Sequence, residues 1–299
     1  MLLQSLRSAA AIHPPRWLVD NMAYMTVMGS QSYGVSGDAS DVDIYGFCIP
    51  PKDMVFPHLA GEVAGFGTPA PRFDQWQQHH VRAPDGRDTS YDFQVFGIVR
   101  YFHLCMDCNP NIIDSLFTPR RCVMHSTAVG ELVRENRKLF LHKGAWHRFR
   151  GYAYAQMGKI KGKVNASNPA RAEAIARHGY DVKFAYHVVR LLDEAEQIMV
   201  EGDLDLERNR EQLKSIRRGE WTLDALNAHF EAKERALENA YAASPLPHHP
   251  DEIRIKALLL QCLEMHFGSL AGAVRQDPSA VRLARDIQDV LDRHGAGRE

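Results

Sequence analysis

Two apolar runs, Tyr24–Met28 and Val42–Ile49, enclose a segment of small and polar residues, and carboxylates stand at Asp41 and Asp43 where the second run begins. The second run is rich in β-branched and aromatic residues and stops at Pro50 and Pro51, which marks it as a strand. Side chains alternate along a strand, so Asp41 and Asp43 point to the same side. Two such carboxylates repel each other unless a cation lies between them, and hard oxygen donors suit Mg²⁺. Gly29 and Ser30 follow the first run and open a turn. Backbone N–H groups and a hydroxyl there can receive a polyphosphate at the start of a short helix. A strand that presents acids beside a phosphate-binding turn points to metal-assisted phosphoryl or nucleotidyl transfer.

The rest of the first third also reads as mixed α/β. A helix is expected over Arg16–Ala23, a loop over residues 57–72, and strands over Gln75–Arg82 and Thr89–Val95. Ala83-Pro84-Asp85-Gly86-Arg87 is expected to form a hairpin turn between those strands. Helical spacing then places Phe96, Val99, Phe102 and Met106 on one stripe. Beyond about residue 120 the pattern is helical throughout: Glu131–Leu141, Trp146–Lys161, Ala170–Gly202, Leu206–Arg218, Leu223–Ala243 and Asp251–Phe267. The expected fold is α+β: a small mixed β-sheet domain with flanking helices over residues 1–122, then an all-α domain over residues 123–299.

Nucleotidyl transfer in many polymerases uses two Mg²⁺ ions held by three carboxylates. Asp41 and Asp43 supply two, and the third should come from a neighbouring strand. Asp92 alternates with Tyr91, Phe93 and Val95 and so faces away from the core; Asp88, on the same face, is the runner-up. Ten residues, Gln31 to Ser40, separate the Gly-Ser pair from Asp41. An apolar-Gly-Ser, about ten residues, then Asp-x-Asp-apolar resembles the signature of the DNA polymerase β-type nucleotidyltransferase superfamily. The fuller pattern of Gly29, Ser30, Tyr33, Gly34, Ser40, Asp41, Asp43, Gly46 and Pro50 is similar to the branch associated with RNA repair, found beside RNA ligases. The resemblance continues through Cys108-Asn109-Pro110-Asn111 with Asp114, and through Gly179-Tyr180-Asp181 to Lys183, His187 and Arg190. It implies a small mixed sheet with helices and an NTP donor. It also implies Mg²⁺ (with Mn²⁺ as the alternative ion) at Asp41, Asp43 and a third carboxylate, an RNA 3′ end as acceptor, and a functional link to an RNA ligase. Asp114 stands where the family more often has a longer glutamate, which leaves open whether it is catalytic or structural.

Lys183, His187 and Arg190 recur at i, i+4 and i+7 on one helix face. A point charge, an imidazole and a planar fork together suit a triphosphate. The bland alternative is a solvated face paired with Asp193 and Glu194, but Val182, Phe184, Ala185, Tyr186, Val188 and Val189 make the helix too apolar for that. Gly29, Ser30, Ser40, Lys183, His187 and Arg190 are therefore the expected nucleotide-binding set. A second basic group, Arg148, Arg150, Lys159, Lys161 and Lys163 with Tyr152 and Tyr154, fits either a single-stranded RNA track or a plain surface helix end followed by the loop 162–169. Cys105 and Cys108 lack a second ligand pair and fall on an apolar stripe, so they read as packed thiols; His79 and His80 read as surface histidines.

A net charge of -1 excludes a globally basic nucleic-acid binder but not a local basic groove. Five cysteines without a disulfide framework, no signal-peptide core and no bilayer-spanning run lead to the expectation of a cytoplasmic protein with no membrane partner. Alternatives to RNA as acceptor are a protein or small-molecule hydroxyl. Alternatives to transfer are a non-catalytic RNA-binding partner of a repair ligase and a phosphohydrolase.

Overall fold

The computed structural model describes residues 2–35, 41–57, 70–82, 89–161 and 169–271, with residues 273, 283, 287 and 290. Five strands form one sheet: β1 (Met22–Val27), β2 (Val42–Cys48), β3 (Gln75–Arg82), β4 (Ser90–Gly97) and β5 (Val123–Ser126), in the order β3-β4-β2-β1-β5. β2 and β4 are parallel, and the other pairs are antiparallel. The sheet is therefore mixed, as expected. Gly46 lets β2 lie close on β1, since a Cβ there would stand 2.2 Å from the Tyr24 carbonyl oxygen.

Alternation gives the sheet two apolar faces. Met25, Ile44, Cys48, Phe93 and Val95 pack with Leu3 and Leu6 of helix α1 (Leu2–Ser8) on one side. Tyr24, Phe47 and Phe96 face the helices on the other. α3 (Ile98–Met106), α4 (Pro110–Phe117) and α5 (Ala128–Glu135) lie against that face; α6 (Gly144–Lys161), α7 (Pro169–His178), α8 (Val182–Glu201), α9 (Arg210–Arg217), α10 (Leu223–Ala243) and α11 (Glu252–Phe267) follow in the chain, and a single turn, α2 (Lys52–Val55), comes after β2. One continuous buried cluster runs from Tyr24 and Phe47 through Phe102 and Phe149 to Leu191, Ile198 and Leu258. α8 is its axle, with Ala185, Val188, Val189, Leu192 and Ala195 fully buried. Among the described residues no helix is long and apolar enough to cross a membrane.

Several expected boundaries move. Arg16–Ala23 is turns and one 3-10 turn (Val19–Asn21), because β1 already begins at Met22. The expected helix over 170–202 divides at Gly179, whose φ is +79°, and Asp181 caps the new start by accepting from the Lys183 and Phe184 amides. The helix expected over Glu131–Leu141 ends at Glu135 and becomes a 3-10 turn (Arg137–Phe140). β5 lies just past the expected domain boundary at 122 and completes the sheet beside β1. The hairpin turn at 83–87, Asp88, most of the 57–72 loop and residues 162–168 fall outside the described residues. All five cysteines are free and buried, Cys105 and Cys108 among them.

Candidate active site

The register of the parallel pair brings the acids together. Asp43 on β2 pairs with Asp92 on β4, so the two carboxylates stand side by side on strands ~4.8 Å apart. They share the face of Tyr45, Phe47 and Phe96, but lie at the end where the helical core stops. Asp41 precedes β2 and is exposed at the mouth of the same cleft. The cleft, about 600 Å³, is lined by these acids with Gly29, Ser30 and Tyr33 on one wall. The other wall is the first turns of α8, Val182, Lys183, Tyr186 and His187, joined by Arg217 from α9.

Burial pushes the Asp43 carboxyl above its ordinary value; Asp92 and Asp41 push the same way, and Lys183 pulls it back. This is the repulsion a cation would relieve. Among the described residues no group of three or more His, Cys, Asp or Glu side chains is placed to hold a metal ion by itself. The Asp43 and Asp92 carboxylates offer hard oxygen donors to the cleft, the donor type that Mg²⁺ takes together with water and substrate phosphates.

Gly29 is required twice over. Its φ is +66°, and a Cβ would stand 2.2 Å from Asp43 Oδ2. The turn Gly29–Gln31 is a single 3-10 turn, and the Ser32 amide and hydroxyl both donate to the Gly29 carbonyl, at 3.1 and 2.9 Å. Gly29→Ala is expected to displace the Asp43 carboxylate and to cost about 1–2 kcal/mol from the left-handed backbone. A urea titration and a Mg²⁺ or nucleotide titration would register both effects. Unchanged ligand binding would remove the Gly29 turn from the site.

Asp92 is gripped by a feature that sequence reasoning assigned to plain surface. β3 bulges between Gln78 and Val81, and His80 takes a φ of +55° there. The bulge aims the His80 backbone N–H at Asp92 Oδ1, 2.7 Å away, while His79 Nδ1 lies 3.4 Å from Asp92 Oδ2. The side chain of Asp92 is left 22 % exposed, enough to reach the cleft.

The basic trio separates. Lys183 and His187 line the cleft at the positive end of α8. Burial holds the His187 imidazole well below its ordinary pKa, and Arg190, Lys183, Arg217 and Lys159 push it the same way, so it is neutral at pH 7. Arg190 does not reach the cleft. Its side chain is 5 % exposed, and its Nη1 donates to the Tyr33 hydroxyl at 2.7 Å, to Glu194 Oε1 at 3.0 Å and to Asp114 Oδ2. The Tyr33 hydroxyl in turn donates to Asp114 Oδ2 at 2.7 Å. Arg190 therefore ties the turn after Gly29 to α4 and α8, and Asp114 belongs to that scaffold instead of the acid cluster. The reason is geometric: Arg190 lies two turns in from the start of α8, where the helix has already entered the core. Arg217, overlooked in the sequence, takes the place at the cleft wall and donates to the Val35 carbonyl at 2.6 Å. Nothing local distinguishes it from the neighbouring Arg218. Ser40 lies outside the described residues.

A model of the family described as the RNA repair pathway DNA polymerase beta family (RlaP) matches residues 6–261. Among solved structures, a nucleotidyltransferase-like protein from Exiguobacterium sibiricum is 9% identical, with a TM-score of 0.28, over 90% of this chain and 76% of that one. No curated protein matches the chain.

Proposed function

The chain belongs to the RNA repair pathway DNA polymerase beta family, and from that premise we propose that it transfers NMP from an NTP to the 3′ hydroxyl of an RNA in a Mg²⁺-dependent reaction. The observation that carries this reading is the in-register pairing of Asp43 with Asp92, beside Asp41 and opposite the N-terminus of α8. Asp41, Asp43 and Asp92 would hold the metal, which supplies charge neutralisation on the α-phosphate and on the departing pyrophosphate. The Gly29 and Ser30 turn receives the distal phosphates. Lys183 and Arg217 add fixed positive charge from the opposite wall, and neutral His187 adds a hydrogen bond. Asp92 Oδ2, the oxygen not engaged by the His80 amide, takes the proton of the acceptor hydroxyl. The hydroxyl oxygen then bonds to the α-phosphorus as the bond to the bridging oxygen breaks, and pyrophosphate leaves. In this reading residues 1–122 carry the acids and residues 123–299 close the cleft over the nucleotide. An end restored in this way is a substrate for an RNA ligase, the partner we assign to the same pathway, and the cytoplasm is the compartment we assign to both.

The test is incorporation of labelled NMP into a panel of RNA 3′ ends with Mg²⁺ and each NTP in turn. Elongated, labelled RNA is expected, with none when Asp41→Ala and Asp43→Ala are combined. Pyrophosphate release without elongation would instead make the protein a hydrolase. Label retained on an RNase-resistant acceptor would move the reaction to a protein or small-molecule hydroxyl.

A further inference from the structure

Helix α6 leads towards the cleft, and its two outward stripes differ in kind. On one, Tyr154 and Arg150 are occupied by α10. The Tyr154 hydroxyl donates to Glu234, Arg150 Nε donates to Glu234 Oε1 at 2.9 Å, and the guanidinium lies over the rings of Trp146 and Tyr154. Glu231 borders the same hollow. That stripe presents carboxylates and repels a phosphate backbone.

The other stripe carries Arg148, Tyr152, Ala155 and Lys159 at i, i+4, i+7 and i+11, all exposed. The space beside it is open, since a Cβ at Gly151 or Gly158 would meet nothing within 4 Å. Tyr152 is 38% exposed, and its hydroxyl accepts from Asn109 Nδ2 at 3.2 Å, which fixes the ring's direction. Arg148 has a half-exposed contact with Asp107 at 3.4 Å, a pairing of small energetic weight in water. At the far end the Lys159 ammonium lies 5.3 Å from the centre of the Phe184 ring, next in sequence to Lys183, and it is among the cations that depress His187. The stripe is thus continuous with the cleft wall.

We infer that this face of α6 is the track along which a single-stranded RNA acceptor reaches the acids. Tyr152 stacks an unpaired base, and Arg148 and Lys159 take phosphates. The inference rests on the nucleotidyl-transfer reading above. Eleven residues of helix rise ~16 Å, which matches about five nucleotides at the ~3.4 Å spacing of a stacked strand.

Acceptors of two to ten nucleotides test it. With the native protein, KM should fall with length up to about five nucleotides and then level off. Tyr152→Ala should shrink the advantage of ten nucleotides over two by roughly tenfold, and Tyr152→Phe should restore it. Arg148→Ala should lower the salt slope of RNA binding by about one. Length dependence unchanged in Tyr152→Ala, with an unchanged salt slope in Arg148→Ala, would overturn the track. If the native protein elongates no RNA, the transfer reading fails on its own. Fluorescence anisotropy of a labelled ten-nucleotide RNA with the same variants then decides the track: weaker binding supports it, and equal or absent binding ends it.

Discussion

Asp43→Asn is expected to lower NMP transfer by about a thousandfold while raising the melting temperature. A thousandfold is about 4 kcal/mol of lost transition-state stabilisation at ~1.36 kcal/mol per tenfold, in line with the several kcal/mol a bound metal contributes. The stability gain has the same origin as the loss. Asp43 stands in register with Asp92 and near Asp41, and burial adds to the cost of its charge. Asparagine keeps the shape and removes the repulsion, for a gain of about 1 kcal/mol or ~2–4 °C. Single-turnover transfer and a thermal melt on one preparation measure both. Transfer within tenfold of the native rate would take Asp43 out of the reaction. A lowered melting temperature would mean that the carboxylates do not strain the fold.

Arg190→Met is expected to destabilise the protein by about 3–5 kcal/mol, because it strips the cation from two buried acids. Asp114 and Glu194 have side chains 0% and 3% exposed, and Arg190 bonds both. Burial pushes both carboxyls above their ordinary values, and Arg190 pulls both back. Their folded pKa values stand above the unfolded ones, so the folded chain retains protons that the unfolded chain releases. Their contribution to stability is fully present below about pH 4, and is lost as pH rises through the raised values. The native protein should accordingly lose stability as pH climbs above the usual carboxylate range. Glu194→Gln, which keeps an oxygen towards Arg190, should flatten that slope. The cost of Arg190→Met should be greater at pH 8 than at pH 5, where the acids are closer to neutral. Urea denaturation at the two pH values checks the sign, and equal costs would mean that the network carries its charges unaided.

The acids stand out in the sequence because their signal is local. Asp43 lies on β2 with Asp41 just ahead of the strand, and alternation turns Asp92 away from Phe93 and Val95. What alternation cannot give is which strand lies beside which, and only the parallel β2–β4 pairing makes Asp92 the neighbour of Asp43. The helical halves were legible for a similar reason, since long apolar periodicity survives without knowledge of partners. The break between α7 and α8 was not, because one glycine and a capping aspartate interrupt an otherwise unbroken pattern. Arg190 was misread because helical spacing groups residues by angle and says nothing of depth. It shares a face with Lys183 and His187, but the core begins between them. Arg217 came from a separate helix and carried no signal of its own.

The bulge in β3 makes the position of Asp92 unusually indifferent to side-chain identity. The hydrogen bond at 2.7 Å comes from the main chain of residue 80, which any amino acid except proline supplies. The backbone there needs a left-handed conformation that asparagine, aspartate, histidine or glycine accepts readily. Drift among those residues at position 80 would leave the carboxylate where it is, whereas inserting or deleting one residue in the strand would turn every later side chain to the opposite face. Asp92 is therefore anchored by chain length and backbone shape. A designer could rewrite the surface of β3 and leave the Asp92 carboxylate in place, provided the extra residue of the bulge stays.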